Sequence, residues 1–276
     1  MKSRLPVLLP ALLVASLLAG CRSVPITGRS QLSLVSDKEV LSTSLTSYRS
    51  YMRKAKVSTD KVGSDQVERV GRRIATATET YLRENGFAAD VANYAWEFNL
   101  VRDKEVNAFC MPGGKIVVYD GLLKLVSSDD ELAVVLGHEV AHAVAKHSNE
   151  RMSQQMLASA GGAALGIGLA ASGKSKSTAS LATGVFGLGA QYGVMLPFSR
   201  KHESEADYMG LVLLTMAGYN PDAAVPFWRK MAASGGSKPP ALLSSHPSDE
   251  KRIADIQKAL PAIKATYSPA KSLPTP

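Results

Sequence analysis

The sequence predicts a mainly α-helical protein with a small antiparallel β-sheet, which is an α+β fold. Helical spacing of apolar residues extends over most of the chain, and two short segments of alternating polarity lie near its middle. The chain has 276 residues, 45% of them hydrophobic, which is ample for one large core. We therefore expect one single domain over residues 37–262.

The first twenty residues are typical of an export signal, because Lys2 and Arg4 precede an apolar run that ends in small residues. The sequence LAGC at 18–21 matches the cleavage signature of a bacterial lipoprotein, which predicts that lipid is attached to Cys21. An ordinary secretory signal followed by an unmodified cysteine is the alternative. Residues 1–20 are accordingly assigned to a signal peptide.

The second cysteine, Cys110, has no partner if Cys21 is lipidated, so the exported protein would contain no internal disulfide. We expect Cys110 to be a buried, inert thiol. The net charge is +8, and it becomes +6 once Lys2 and Arg4 are removed. This excess is compatible with an anionic membrane surface, although an ordinary solvated surface explains it better, and no basic cluster with aromatic residues indicates nucleic acid.

The N-terminal half is predicted to contain, in chain order, a linker at 21–36, helices at about 36–56 and 64–85, and strands at 94–101 and 115–121. A turn-rich segment, 107–114, lies between the strands. Because the strands are close in sequence, we expect them to pair in antiparallel fashion.

The next predicted helix runs from about 127 to 153, and Ser128 followed by Glu131 is typical of a capping box. Apolar residues surround its middle, which predicts burial. The segment 156–195 is rich in Gly, Ala and Ser and too interrupted for a membrane span. We expect loosely packed helices or a mobile loop over the active site, with interfacial membrane contact as the alternative.

The C-terminal part is predicted to contain helices at 200–218, 220–233 and about 249–260, followed by a disordered tail at 263–276. Asn220 and Pro221 are typical of a helix N-cap followed by proline in the first turn.

The buried helix carries His138, Glu139 and His142 in a His-Glu-x-x-His pattern. Two histidines four residues apart share one helix face, where neutral imidazoles can bind one zinc ion at about 2.0–2.1 Å. Glu139 lies beside that face and can accept a proton from a metal-activated water. The alternative is a buried helix whose histidines are satisfied by other partners.

A third ligand is predicted in the segment HESEAD at 202–207. Glu203 and Asp207 are four residues apart and share a helix face, whereas Glu205 points roughly the other way. We expect Glu203 to bind the metal and Asp207 to hold a ligand histidine through its second ring nitrogen. An ordinary acidic first helical turn is the alternative, and it explains Asp207 poorly.

These paired motifs, HEVAH at 138–142 and ESEAD at 203–207, resemble the zinc metallopeptidases related to HtpX and the CAAX prenyl protease. Periplasmic, lipoprotein-type members such as LoiP and BepA are the most similar group. Further shared landmarks lie at 27–38, 107–123 and 246–253, so the resemblance covers nearly the whole exported chain except its tail. Cys110 departs from the family pattern without affecting the chemistry.

The resemblance implies a gluzincin-like domain with one Zn²⁺ per chain, bound by His138, His142 and Glu203, and with Glu139 as the general base. It also implies that 107–119 forms an edge strand beside the cleft, where Asn107 and Ala108 could hold the substrate main chain. A plain structural turn is the alternative for both residues.

The loop residue His246 could stabilise the oxyanion or occupy the open zinc position in a latent form, again by resemblance. A lone histidine on a loop without a role is the alternative. His147 and His202 are expected to be surface or packing residues.

The predicted function is a zinc metalloendopeptidase of the bacterial periplasm, anchored by lipid on Cys21. Its substrates would be unfolded or misassembled envelope proteins, and outer-membrane assembly machinery is a possible partner. Lipoproteins of this type avoid retention in the inner membrane when no aspartate follows the lipidated cysteine. Arg22, which takes that position, therefore indicates the outer membrane. The alternative is a chaperone or assembly-platform lipoprotein with a latent or structural zinc site.

Overall fold

The computed structural model describes residues 21–172, 175–177, 180, 196–234, 240–246 and 250–269. The predicted signal peptide, most of the second half of the Gly/Ala-rich segment and the last seven residues lie outside the described residues.

The fold is mainly helical, as the sequence predicts. Its helices are α1 (Asp37–Met52), α2 (Lys61–Glu84), α3 (Ala88–Val91), α4 (Asp120–Leu123), α5 (Asp129–Val144), α6 (His147–Ala171), α7 (Leu196–Met216), α8 (Ala224–Ser234), α9 (Ala241–Ser245) and α10 (Glu250–Thr266). Two predicted N-caps are confirmed, since Ser128 accepts a hydrogen bond from the Glu131 backbone and Asn220 from the Asp222 backbone. Asn220 opens a 3₁₀ turn, Pro221–Ala223, which precedes α8.

The central sheet contains three strands, and it is mixed. β3 (Glu97–Val101) and β5 (Lys115–Tyr119) pair in parallel, and β4 (Ala108–Met111) pairs with β5 in antiparallel fashion. The expected antiparallel pairing of the two predicted strands is therefore wrong. Alternating polarity in the sequence did not reveal β4. A tight turn through Gly113 and Gly114, both with positive φ, follows β4 and leads into β5, which pairs with β4 in antiparallel fashion. β4 consequently forms one edge of the sheet.

The segment 21–36, predicted as a linker, contains a β-hairpin. β1 (Cys21–Ser23) pairs with β2 (Ser30–Leu32) in antiparallel fashion. Between the two strands, Val24 is fully buried in the main hydrophobic core. The chain reverses through Gly28, whose φ of 65° is readily adopted by glycine. These residues are therefore packed against the domain.

Three helices have ends that differ from prediction. The single helix expected over 127–153 ends at Val144, and α6 begins at His147 after Lys146 adopts a left-handed conformation with φ of 54°. α7 begins at Leu196, about one turn before its predicted start. α10 continues through the start of the predicted tail, because Ile263 is fully buried in the core. Among the described residues, no helix combines the length and hydrophobicity needed to cross a membrane.

The core is organised around α5, which is buried nearly all round. It packs against α7 on one side, and α2 and β4 also contact it. The α5 and α7 backbones approach closely at two glycines, since a Cβ on Gly137 would lie 2.8 Å from the Gly210 carbonyl oxygen. This close contact brings polar residues of both helices to one buried point.

Candidate metal centre

Helix α5 places its two histidines together inside the protein. The Nε2 atoms of His138 and His142 are 3.1 Å apart, as expected for residues one helical turn apart on the same face. His138 and Glu139 are only 2% and 3% exposed. Polar groups buried this deeply need partners, and a second helix supplies them.

Helix α7 brings Glu203 to these histidines. Its Oε2 lies 3.3 Å from the Nε2 of His138, and its Oε1 lies 3.6 Å from the Nε2 of His142. Glu205 points to a different part of the structure, as its helical phase predicts. The alternative of an ordinary acidic first helical turn does not apply, because α7 begins seven residues before Glu203 and the side chain is buried.

His246 follows α9 and completes the cluster. Its Nδ1 lies 3.0 Å from the Oε2 of Glu203 and 3.3 Å from the Nε2 of His138. One ligand atom from each of His138, His142, Glu203 and His246 lies within 4.8 Å of the other three. Four ligand atoms placed tetrahedrally at about 2.0–2.1 Å from zinc would be roughly 3.3 Å apart, so spacing and donor chemistry both fit a metal ion.

Asp207 and Arg252 support His138 from the side opposite the cluster. The Oδ1 of Asp207 is 2.9 Å from the His138 Nδ1, and the guanidinium of Arg252 donates to both carboxylate oxygens at 2.8 Å. Burial disfavours charge on His138, but hydrogen bonds to Asp207 and Glu203 outweigh burial and raise its pKa to about 9. The position predicted for Asp207 is therefore observed, whereas Arg252 was not singled out from the sequence.

Glu139 faces the cluster from its flank. Its Oε2 accepts a hydrogen bond of 3.3 Å from the Cys110 backbone. Among the residues that the structure describes, its Oε1 is buried without a hydrogen-bond partner, and the Nε2 of His246 lies 3.5 Å away. A buried carboxylate oxygen without a donor is costly, which indicates that a ligand or water normally occupies this space.

The edge strand β4 runs past Glu139. At its start, Ala108 is buried and its backbone N–H donates to the Asn107 side chain at 2.9 Å. The Asn107 carbonyl accepts from the Tyr119 backbone at 3.1 Å. The backbone N–H that faces the site in this structure therefore belongs to Cys110. The Cys110 side chain is partly buried, and burial raises the pKa of its thiol, which disfavours the reactive thiolate.

His147 and His202 are both buried, so the expectation that they lie at the surface is wrong. They pack inside the protein, as the other expectation had it, but they also form hydrogen bonds in a buried polar network. The Nδ1 of His147 lies 2.9 Å from the Nδ1 of His142, and its Nε2 lies 3.0 Å from the Oε2 of Glu205. On one continuous helix His147, nine residues beyond His138, would lie about half a turn away from the face of His138. The break at Lys146 changes the chain direction and returns His147 to the cluster.

A buried helix with His-Glu-x-x-His, a carboxylate from a neighbouring helix and an edge strand beside them define a zincin-like metallopeptidase domain. The chain belongs to peptidase family M48, whose sequence model matches residues 46–260.

Several curated relatives are metalloendopeptidases by name. The chain is 39% identical over 173 residues to the mitochondrial metalloendopeptidase OMA1 of Schizosaccharomyces pombe, covering 62% of this chain and 48% of the relative. It is 30% identical over 244 residues to human mitochondrial metalloendopeptidase OMA1, covering 86% and 45%. It is 31% identical over 166 residues to the beta-barrel assembly-enhancing protease of Escherichia coli, covering 59% and 34%. The chain thus spans less than half of the length of these relatives.

Proposed function

We propose that this protein is a zinc-dependent metalloendopeptidase that holds one zinc ion through His138, His142 and Glu203. The observation that carries the proposal is the convergence of these three side chains beside Glu139, whose Oε1 is buried with no hydrogen-bond partner in the described part of the chain. Family membership and the names of the relatives support the same reaction.

When bound, zinc would supply a Lewis acid that lowers the pKa of a water molecule towards about 7. The Glu139 carboxylate takes a proton from this water as the water oxygen attacks the carbonyl carbon of the scissile peptide. Glu139 then donates that proton to the departing amine as the C–N bond breaks. Asp207 keeps the His138 ring oriented throughout, because it holds the Nδ1.

The substrate is proposed to bind in extended form along the edge of β4. Strand addition uses backbone hydrogen bonds and suits proteins that have lost their fold. The Cys110 N–H faces Glu139, which supports a substrate path along this edge. Asn107 and Ala108, at the start of the strand, are proposed to contact the substrate main chain through their remaining backbone groups.

A latent state follows from the position of His246. Its Nδ1 stands where a fourth ligand would stand, so we infer that His246 closes the site and must move before a substrate carbonyl can enter. A closed four-ligand site is also typical of structural zinc. This observation favours a second candidate function, a chaperone or assembly-platform lipoprotein whose zinc is latent or structural.

The proposed location is the bacterial periplasm, where lipid on Cys21 anchors the protein. The proposed substrates are unfolded or misassembled envelope proteins. The LAGC sequence at 18–21 supports lipidation, and Arg22 supports the outer membrane. The name of the Escherichia coli relative, a beta-barrel assembly-enhancing protease, supports outer-membrane clients and contact with their assembly machinery. Cys21→Ser should release the protein from membranes, and full membrane retention would contradict the anchor.

Glu139→Gln tests the activity, because the amide keeps the shape of the side chain but cannot accept the proton. We expect zinc content equal to wild type, with cleavage of an unfolded β-rich protein reduced by about 10²–10⁴-fold. Glu68→Gln, on the exposed face of α2, is the matched control and should cleave normally. Undiminished cleavage by the Glu139 variant would rule out the proposed mechanism.

His246→Ala separates the two candidate functions. Removing the closing side chain should accelerate cleavage while one zinc per chain remains bound. Loss of zinc without any gain in cleavage would instead favour the structural site of the chaperone or assembly platform.

A further inference from the structure

We propose that His147 and Glu205, fixed by Arg29 of the N-terminal hairpin, position the ring of the candidate metal ligand His142. This inference rests on the proposed zinc site, because it concerns how one of the three ligands is held. Within the described residues the group of candidate ligands consists of His138, His142, Glu203 and His246, so the role of His147, Glu205 and Arg29 is to position a ligand.

The hydrogen bonds run in one consistent direction. The Nε2 of His142 faces the cluster, so a neutral His142 that binds metal through this atom carries its proton on Nδ1. That proton can be donated to the Nδ1 of His147, 2.9 Å away. His147 then carries its own proton on Nε2 and donates it to Glu205 at 3.0 Å. Each nitrogen has a defined role, which fixes both tautomers.

A ligand histidine usually donates its second N–H to a carboxylate or carbonyl, as His138 does towards Asp207. At His142 an imidazole stands between the ligand and the carboxylate. His147 also stacks on His202, with ring centroids 4.2 Å apart and an angle of 15° between the rings. This stacking and the hydrogen bond to Glu205 leave the His147 ring little freedom to rotate.

Glu205 is held in turn by the N-terminal hairpin. The Arg29 Nε donates to both of its oxygens, at 3.0 and 2.9 Å, and the Thr27 hydroxyl donates at 2.6 Å. Other nitrogens of Arg29 donate to Glu150 at 3.0 and 2.7 Å, and Glu150 accepts from His202 at 2.9 Å. One cation therefore holds two buried carboxylates that are separated by 55 residues of sequence.

The hairpin is thereby connected to the metal centre. It begins at Cys21, the residue predicted to carry lipid, and its turn contains the two side chains that hold Glu205. A purely structural salt bridge between the hairpin and α7 would not require the contact between the Nδ1 atoms of His147 and His142. That contact is the observation that extends the network to the ligand.

The test is the zinc dissociation constant of the full-length protein, measured by competition with a chromophoric chelator. His147→Phe keeps a flat ring against His202 but removes both hydrogen bonds, and we expect zinc to bind about 10–100-fold more weakly. His147→Asn keeps an acceptor oxygen near the position of Nδ1 and should recover most of the affinity. The absorption bands of the Co²⁺-substituted Phe variant should also shift from those of wild type.

Leu82→Ala is the matched control, since it removes buried apolar volume at the end of α2 and should lower the melting temperature without weakening zinc binding. Wild-type zinc affinity in the Phe variant would overturn the inference, and so would an Asn variant as weak as the Phe variant. If the Phe variant does not fold, Glu205→Ala removes the acceptor of the His147 Nε2–H, and unchanged affinity there would overturn the inference. Wild-type protein without stoichiometric zinc would instead overturn the proposed function itself.

Discussion

The two candidate histidine ligands lie one turn apart on α5, and a carboxylate of α7 supports each of them, but the arginines that hold these carboxylates come from opposite ends of the domain. His138 is held by the C-terminal support, which consists of Asp207 and Arg252. His142 is held by the N-terminal support, which consists of His147, Glu205, Glu150 and Arg29. In the first support a carboxylate contacts the ligand ring directly, and its cation, Arg252, also lies 3.5 Å from Glu203. In the second support an imidazole stands between the ligand and the carboxylate, and one cation donates hydrogen bonds to two carboxylates.

This difference shows that the ligand helix alone does not determine the geometry of the site. The spacing of His138 and His142 puts both rings on one face, but their rotation depends on side chains from both ends of the domain. A substitution in the hairpin should therefore alter the orientation of the His142 ring, and a substitution in α10 should alter that of the His138 ring.

The largest effect is expected on the free energy of unfolding when a supporting cation is lost. Arg29→Met leaves the buried Glu150 and Glu205 without their shared cation, which should cost about 3–5 kcal/mol. Arg252→Met removes close hydrogen bonds to one carboxylate, Asp207, and a longer ion pair of 3.5 Å with Glu203, and it should cost less. Urea unfolding of the metal-free variants measures both, and equal losses would break the proposed difference between the supports.

A smaller effect is expected on the acid side of the stability curve. Burial raises the pKa of Glu150, but hydrogen bonds from His202 and Arg29 outweigh it and lower the pKa to about 2 from 4.5. A lowered folded pKa contributes stability above pH 4.5 that is lost as the pH falls towards 2.

Glu150→Gln removes this titration, so unfolding free energy measured across that window should fall less steeply than in wild type. The remaining slope should include Asp207 of the C-terminal support, whose pKa is also lowered despite burial. Identical slopes in both proteins would contradict the contribution of Glu150.

The smallest effect is expected for Asp207→Asn, which keeps an oxygen that can accept from His138 but removes the charge. Zinc affinity should fall about 10-fold, or about 1.4 kcal/mol. Chelator competition measures the change, with Asp255→Asn on the exposed face of α10 as a control that should bind zinc normally. A variant with unchanged affinity would show that orientation, rather than charge, is what Asp207 supplies.

The main elements of the site could be predicted because helix geometry alone brings their side chains to one face. His138 and His142, like Glu203 and Asp207, are four residues apart, and each pair lies together in the structure. Burial of α5 was also readable from its apolar residues. The family resemblance added His246, which a loop position alone would not have indicated.

The remaining parts depend on contacts between distant segments or on single backbone conformations. Arg29 lies in a segment predicted as a linker, and it reaches Glu205 across 176 residues of sequence. Lys146 adopts a left-handed conformation after the end of α5, although the apolar periodicity shows no break there. The predicted position of His147 was therefore wrong. Alternating polarity did not reveal β4, because its four residues are too few for a clear pattern. The family resemblance implied an edge strand over 107–119, and within this range β4 lies at the edge whereas β5 lies between β3 and β4.

The most direct test of the central claim is the position of the metal in crystals of the zinc-loaded protein, located by anomalous diffraction at the zinc edge. We expect one zinc per chain, within about 2.0–2.2 Å of the Nε2 atoms of His138 and His142 and of a carboxylate oxygen of Glu203. A zinc peak elsewhere, or one without Glu203 as a ligand, would contradict it.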